Sequence, residues 1–146
     1  MRTTQRGIDL IKRFEGLRLK AYKPVKTEKY YTIGYVHYGA DVTEGMVITE
    51  QQAEELLRKD LNKFEQGVSD LTKTVELKPQ QFDALVSFAY NVGLASFGNS
   101  TLLKLVKAEP NDLRIKSEFL KWKYAGGRIL EGLVKRRQAE AGMYFS

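Results

Sequence analysis

Two stretches of the sequence carry the main signals of the fold. The first is Phe14-Glu15-Gly16-Leu17-Arg18-Leu19-Lys20-Ala21-Tyr22. The second follows after a short polar loop and is Tyr30-Tyr31-Thr32-Ile33-Gly34-Tyr35-Val36-His37. In the first part a carboxylate lies where a helical pattern ends, and Gly16 permits the turn that ends it. The second part is rich in residues that favour strands and contains the only histidine of the chain, His37. Together they predict a helix end joined to a small antiparallel sheet.

Helical patterns flank this stretch on both sides. Upstream, Ile8, Ile11 and Phe14 recur at the spacing of one helix face, which predicts a first helix over about residues 4–15. Downstream, Thr49-Glu50-Gln51-Gln52 has the form of a capping box. It predicts a long helix over about residues 50–66.

The sequence pattern predicts helices over most of the rest of the chain. Pro79 suits the first turn of a helix that is apolar on most sides, so this helix is expected at the centre of a helical lobe. Further helices are predicted over about 99–107, 111–123 and 132–143, with Gly126-Gly127 separating the last two.

This order of elements predicts an α+β, predominantly helical fold with two lobes. We expect one domain over residues 1–146 with a small antiparallel sheet in its N-terminal lobe. The sheet lobe is expected over about 16–48, the connecting helix over about 50–66, and the helical lobe over about 67–146 with helix 4–15 packed on it.

Composition narrows the class of protein. Hydrophobic residues make up 42% of the chain and charged residues 29%, which is typical of a globular domain and not of a disordered one. The absence of cysteine excludes disulfides, thiol catalysis and cysteine-bound metal. No metal-binding spacing and no phosphate-binding glycine loop is present, so no cofactor is expected.

The net charge and the absence of targeting signals narrow the partners and the location that we expect for the protein. The net charge of +6 favours anionic partners, of which nucleic acid, an anionic membrane and the bacterial cell wall are the main classes. A nucleic-acid role lacks a clustered basic face with interleaved aromatics. The N-terminus has no apolar signal core and no segment is long enough to span a bilayer, so we expect synthesis in the cytoplasm without a signal peptide and no stable membrane insertion.

Three side chains of the opening stretch are chemical candidates. Glu15 lies beside Phe14 and Leu17, and partial desolvation would raise the pKa of its carboxyl toward that of a general acid. The spacing of the residues alone favours a different interpretation, in which Glu15 is a surface residue or pairs with a nearby arginine. Thr32 is ordinary in a strand, and His37 could be a base, a ligand or a structural histidine.

Aromatic and amide groups further along could line a sugar cleft, because carbohydrate rings stack on aromatic rings and their hydroxyls need donors and acceptors. The candidates are Tyr90-Asn91, Trp122, Tyr124 and Gly126-Gly127. Packing in the core is the alternative, and for Trp122 it is the favoured one.

Taken together, these motifs resemble the phage-type lysozymes, or endolysins, of glycoside hydrolase family 24. The resemblance spans essentially the whole chain. It rests on Phe14 to Tyr22, Tyr31-Thr32-Ile33-Gly34-Tyr35, His37, Ile48-Thr49-Glu50, Gln81 to Phe88, Tyr90-Asn91-Val92-Gly93, Ala125-Gly126-Gly127 and Arg136-Arg137.

The resemblance implies a two-lobed lysozyme fold that hydrolyses the β-1,4 bond between N-acetylmuramic acid and N-acetylglucosamine and so lyses bacterial cell walls. Glu15 matches the general acid of the family, and Thr32 matches the threonine that positions the attacking water. Tyr90 and Asn91 match the substrate-binding wall of the cleft. Peptidoglycan is the implied partner, and the protein is expected to be a monomer that reaches the wall after release.

The resemblance also implies an ion pair between His37 and Asp60, which makes His37 structural. The pair links the sheet lobe to the long helix in this family. The glycine that usually precedes the histidine is replaced here by Val36.

The chain departs from the family at the second carboxylate. An aspartate or cysteine is usual nine residues after the glutamate and six before the threonine, but Pro24 and Lys26 occupy these positions. Glu28 or Asp41 could substitute, since glycoside hydrolysis normally uses two carboxyl groups. Three alternatives remain: Thr32 and backbone groups hold the water, Glu15 alone supports a lytic transglycosylase, or the chain is a silent peptidoglycan-binding module.

Overall fold

The computed structural model describes all residues, Met1–Ser146. Its elements in chain order are α1 Gln5–Glu15, β1 Arg18–Tyr22, β2 Tyr31–Gly34, β3 His37–Gly39, α2 Glu50–Leu71, α3 Pro79–Val92, α4 Leu94–Gly98, α5 Thr101–Ala108, α6 Arg114–Leu120, β4 Tyr124–Ala125, β5 Arg128–Ile129 and α7 Glu131–Tyr144. The chain forms two units, one of Met1–Ile11 and Lys63–Ser146, and the other of Lys12–Asn62. None of the helices combines the length and the apolar character that crossing a membrane requires.

The unit of Lys12–Asn62 contains the predicted antiparallel sheet, with strand order β1-β2-β3. Ala21, Ile33 and Val42 are its buried core, and four partly buried apolar side chains pack against them, from Tyr31, Met46, Ile48 and Leu56. Because strand side chains alternate between faces, Ala21 and Ile33 put one face of the sheet in this core. The neighbouring residues Tyr22 and Thr32 therefore lie on the other face.

Val36 lies in a strained turn between β2 and β3. It is the one residue other than glycine with a positive φ, at +66°. Gly34, two residues earlier, has the same φ. A branched Cβ in this region clashes with the backbone, which costs about 1–2 kcal/mol. Glycine, the residue that usually occupies this position in the resembled family, would avoid the clash.

We therefore expect Val36→Gly to raise the free energy of unfolding by about 1 kcal/mol, the relief of strain being partly offset by the greater freedom of glycine in the unfolded chain. Urea unfolding measures the change. Val25→Gly, at another exposed loop valine, is the matched control and should lower stability. A destabilised Val36→Gly protein would show that the turn is not strained.

The other unit is organised around α3. Nine consecutive residues of this helix, from Gln81 to Ala89, are buried. The ring of Phe88 lies 5.4 Å from that of Trp122 and 5.6 Å from that of Phe119, both edge to face. The prediction that α3 is buried at the centre of the helical lobe is confirmed, and the half-buried Trp122 packs against the buried Phe88.

Helix α7 contributes two arginines and one glutamate to the interior of the same unit. Arg136, Arg137 and Glu140 are all buried. Glu140 Oε2 accepts hydrogen bonds from Ser87 Oγ at 2.6 Å, from Arg137 Nη2 at 3.1 Å and from Arg136 Nε at 3.2 Å. Buried charges persist only where such partners replace water.

Several predicted boundaries need correction. The long helix was predicted to end near residue 66 but continues to Leu71, because Val68 is buried and Gly67 lies where a Cβ would come within 2.6 Å of the Leu94 side chain. The helix predicted over 99–107 begins at Thr101, since Ser100 Oγ accepts the hydrogen bond of the Leu103 N–H at 3.0 Å and so caps it.

The segment around residues 111–130 also differs from its prediction. The helix predicted over 111–123 is limited to Arg114–Leu120, and Asp112 accepts the Arg114 N–H at 2.9 Å. Gly126 and Gly127 do more than separate two helices. With φ values of +58° and +76° they form the turn of the β4–β5 hairpin, the conformation that two-residue hairpin turns require.

Candidate active site

Glu15 is the last residue of α1 and is half-buried. The helix ends here because Gly16 adopts a φ of +74°, with its N–H donating to the carbonyl of Lys12 at 3.0 Å. The chain then enters β1 at Arg18. A short connection through Gly16 therefore places Glu15 close to the start of the sheet.

Thr32 occupies the middle strand of that sheet and is 3% exposed. Arg18, three residues after Glu15, pairs with Gly34, and Thr32 precedes Gly34 by two residues. Each strand residue advances the chain by about 3.3 Å. Thr32 itself pairs with Tyr22, so Glu15 precedes the first residue of β1 and Thr32 lies opposite the last one.

The loop between β1 and β2 holds Pro24 and Lys26, the two positions at which the resembled family usually has its second carboxylate. Pro24 and Lys26 are exposed there, and Glu28 is the only acidic residue of the loop. A turn fixes its backbone, since the Glu28 N–H donates to the carbonyl of Val25 at 3.1 Å. Glu28 is itself exposed, so the loop offers no buried carboxylate.

Asp41 belongs to an ionic cluster around His37. Its Oδ2 lies 2.9 Å from His37 Nε2, while Asp60 Oδ2 lies 2.7 Å from His37 Nδ1. The predicted pairing of His37 with Asp60 is confirmed, and Asp41 adds a second partner. The histidine bond lowers the pKa of Asp41, so this carboxyl is held ionised and engaged with the imidazolium.

The pKa of His37 is raised. Burial of the ring acts to lower it, but the hydrogen bonds to Asp60 and then to Asp41 outweigh this effect. A pKa above that of the unfolded chain means that the cluster contributes its full stability below about pH 6.5. That contribution is lost as the pH rises through the folded-state pKa.

We expect the stability difference between the parent and His37→Asn to be large near pH 5.5 and to shrink by about half or more near pH 8.5. Urea unfolding at the two pH values measures it. Asp41→Asn should weaken the pH dependence without removing it, because Asp60 remains. A difference that grows as the pH rises would contradict the account of the cluster.

Tyr90 and Asn91 lie near the C-terminal end of α3, in the unit of Met1–Ile11 and Lys63–Ser146. The Tyr90 ring packs edge to face on Phe64, with centroids 5.2 Å apart, and is half-buried, whereas Asn91 is exposed. Glu15 and Thr32 belong to the other unit. A cleft role for Tyr90 and Asn91 therefore stays a prediction.

Sequence reasoning missed the tyrosines around Thr32. Tyr22 and Tyr38 are its direct partners on the two neighbouring strands, so the three side chains share one face of the sheet. Tyr30 precedes Thr32 by two residues, and its ring centroid lies 5.6 Å from that of Tyr38. We call Tyr22, Tyr30 and Tyr38 the tyrosine face. The two-residue spacing of Tyr30 and Thr32 was its only signal in the sequence.

Comparison with known proteins identifies the family of the chain. The family model described as phage lysozyme matches residues 12–140. An endolysin of Bacillus phage B103 is 55% identical over 146 residues, which are 100% of this chain and 55% of that protein. The chain thus spans little more than half the length of this relative.

Solved structures of similar size also match. P22 lysozyme has a TM-score of 0.89 and 36% identity, with 100% of this chain and 99% of that chain covered. The muramidase domain of SpmX from Asticaccaulis excentricus has a TM-score of 0.88 and 34% identity, with 99% of this chain and 98% of that chain covered. The fold is therefore the α+β, two-lobed lysozyme fold, and the chain belongs to the phage lysozyme family.

Proposed function

We propose that the chain is a peptidoglycan muramidase that hydrolyses the β-1,4 bond between N-acetylmuramic acid and N-acetylglucosamine. The observation that carries this proposal is the half-buried Glu15 at a helix end, which leads directly into the sheet whose middle strand holds the buried Thr32. The likeness to a solved muramidase domain at 34% identity supports it.

In the proposed reaction Glu15 is the general acid. Its protonated carboxyl donates to the glycosidic oxygen as the bond to the anomeric carbon of the muramic acid breaks. Water adds to that carbon and releases a proton, which restores the carboxyl of Glu15 over the cycle. The Thr32 hydroxyl can both donate and accept, so it can hold the water during attack.

The second carboxylate is the point where this chain differs from most glycoside hydrolases. Asp41 is bonded to His37 and Glu28 is exposed in a lysine-containing loop. We therefore propose that Thr32, with backbone groups, positions the water, and that neither acid is essential.

Thr32→Val is accordingly expected to lower the rate of wall clearing by about 10²-fold, because the substitution keeps the shape but removes the hydroxyl. Glu28→Gln and Asp41→Asn should leave the rate within about threefold of the parent. Turbidity of suspended peptidoglycan measures all three. A loss as large as that of Thr32→Val in either acid variant would identify that acid as the second carboxylate.

The lack of a buried acid in the loop favours one other candidate function. A lytic transglycosylase needs only one catalytic acid, because a hydroxyl of the muramic sugar attacks the anomeric carbon in place of water. The product would then be an anhydro sugar with no reducing end.

Borohydride reduction of a peptidoglycan digest, followed by mass analysis, tests the proposed bond. Muramidase activity predicts that muramic acid is the sugar converted to its alditol. Conversion of glucosamine would place cleavage at the other glycosidic bond, and anhydro-muramic ends without a new alditol would indicate transglycosylation. Wall binding without clearing would mean a silent binding module.

A further inference from the structure

The β4–β5 hairpin is not used by the proposed reaction and fills no core. Every residue from Tyr124 to Leu130 is exposed. The Leu130 N–H donates to the carbonyl of Lys123 at 3.0 Å, which closes the base of the hairpin opposite its glycine turn. A two-stranded hairpin without a covered face gains little stability from its own packing. The apolar side chains that it exposes therefore need an explanation other than folding.

One face of the hairpin carries a pair of large apolar side chains. Tyr124 and Ile129 are direct partners on the two strands, so their side chains lie next to each other on the same face. They are 58% and 56% exposed. The next pair toward the turn is Ala125 with Arg128, whose side chains lie on the opposite face. An exposed apolar pair that fills no core is typical of a contact surface.

The segment around this pair has an excess of positive charge. Four basic residues and one acidic residue lie between positions 121 and 135. Arg128 is exposed on the hairpin itself, and the Lys123 ammonium lies 5.9 Å from the centroid of the Tyr124 ring. Lys121 pairs with Glu118 but keeps a side chain that is 67% exposed. The apolar pair is therefore flanked by cations.

This combination matches the surface of an anionic bilayer. There, aromatic and aliphatic side chains enter the boundary between headgroups and acyl chains, while lysine and arginine extend their charges to the lipid phosphates. A soluble polyanion would be bound by the cations but would leave Tyr124 and Ile129 in water. A neutral sugar would use the ring of Tyr124 but not the excess of positive charge.

We infer that the β4–β5 hairpin is an interfacial anchor by which the chain binds reversibly to the surface of an anionic phospholipid bilayer. Tyr124 and Ile129 enter the interface, and Lys123 and Arg128 pair with lipid phosphates. Each basic residue near such a surface strengthens binding about fivefold. Binding to lipid requires no cleavage of peptidoglycan, so this inference does not depend on the proposed reaction.

The test uses the whole chain and vesicles of equal parts phosphatidylglycerol and phosphatidylcholine. Sedimentation with the vesicles gives the partition coefficient. Tyr124→Ser combined with Ile129→Ser should lower it about tenfold or more, because the apolar area that enters the interface is lost. Arg128→Gln should lower it about fivefold. Trp122 is the only tryptophan and lies two residues before Tyr124, so energy transfer from it to a dansyl-labelled lipid should accompany binding.

Two variants outside the hairpin are the matched controls. Leu113→Ser removes another exposed apolar side chain of the same unit, and Lys107→Gln removes another exposed charge. Leu113→Ser should leave the partition coefficient within about twofold of the parent. Lys107→Gln should lower it less than Arg128→Gln does, because only charges close to the bilayer are strongly attracted. Thermal unfolding of each variant shows whether it is folded.

Salt and lipid charge provide the second part of the test. Binding should weaken as the salt concentration rises from about 0.1 M to about 1 M, and vesicles of phosphatidylcholine alone should bind far less. A double variant that binds the anionic vesicles as tightly as the parent would overturn the inference, and so would a parent that fails to bind them at about 0.1 M salt. If the double variant lost binding to purified peptidoglycan or to duplex DNA but not to vesicles, the hairpin would serve that polymer and the inference would fail.

Discussion

Glu15→Gln is expected to lower the rate of peptidoglycan clearing by about 10³-fold or more, the largest effect of any single substitution on activity. The amide keeps the size and shape of the side chain but has no acidic proton to give to the leaving oxygen. General acid catalysis typically contributes about 10²–10⁴-fold. The initial rate of turbidity loss, at matched protein concentration, measures the effect.

Asp9→Asn is the matched control for this substitution. It makes the same change of charge on the same helix, at an exposed position six residues earlier. Its rate should equal that of the parent, and both variants should unfold at temperatures close to the parent's. Clearing by Glu15→Gln within about tenfold of the parent would show that another group supplies the proton.

The largest expected effect on stability comes from Glu140→Gln. This carboxylate compensates two buried guanidinium groups, those of Arg136 and Arg137, and also accepts the hydroxyl of Ser87. Removing one partner of a buried pair leaves uncompensated charge out of water and costs about 3–5 kcal/mol. For a domain of this size, that is a large share of the total free energy of unfolding.

Urea unfolding measures the loss, and Glu118→Gln provides the comparison. Glu118 pairs with Lys121, whose side chain is 67% exposed, so removing that ion pair should cost less than about 1 kcal/mol. Equal losses in the two variants would mean that the buried cluster contributes no more than a surface pair. A cooperative transition in Glu140→Gln is required for the comparison to hold.

Local chemistry made part of the fold predictable from sequence. The capping box at the start of α2 is seen as the hydrogen bonds between Thr49 and Gln52, because capping depends only on residues one turn apart. Pro79 likewise begins α3 as predicted. Gly126 and Gly127 carried a turn signal, but only pairing between β4 and β5 distinguishes a hairpin from a simple break.

Contacts distant in sequence account for what was not predicted. The end of α2 depends on Leu94, which packs where a side chain on Gly67 would be. The engagement of Asp41 with His37 and Asp60 could not be derived from spacing, since it needs the folded positions of a strand, a loop and a helix. For the same reason Asp41 was a candidate second carboxylate on sequence grounds.

The candidate site, too, was only partly predictable from the sequence. The roles proposed for Glu15 and Thr32 rest on the resemblance, because the spacing of the residues alone did not favour a general acid over a surface carboxylate at Glu15. The tyrosine face escaped notice because it is created by strand register, which pairs Thr32 with Tyr22 and Tyr38. A single residue of slip would have placed these rings on the core side of the sheet.

Digestion of purified peptidoglycan in water enriched in oxygen-18 distinguishes attack by water from attack by a hydroxyl of the sugar. If Glu15 protonates the leaving oxygen while water attacks, mass analysis will show one heavy oxygen at the anomeric position of the new N-acetylmuramic acid ends. Product ends that are anhydro sugars without label would contradict hydrolysis, and label on N-acetylglucosamine ends would contradict the assignment of the bond.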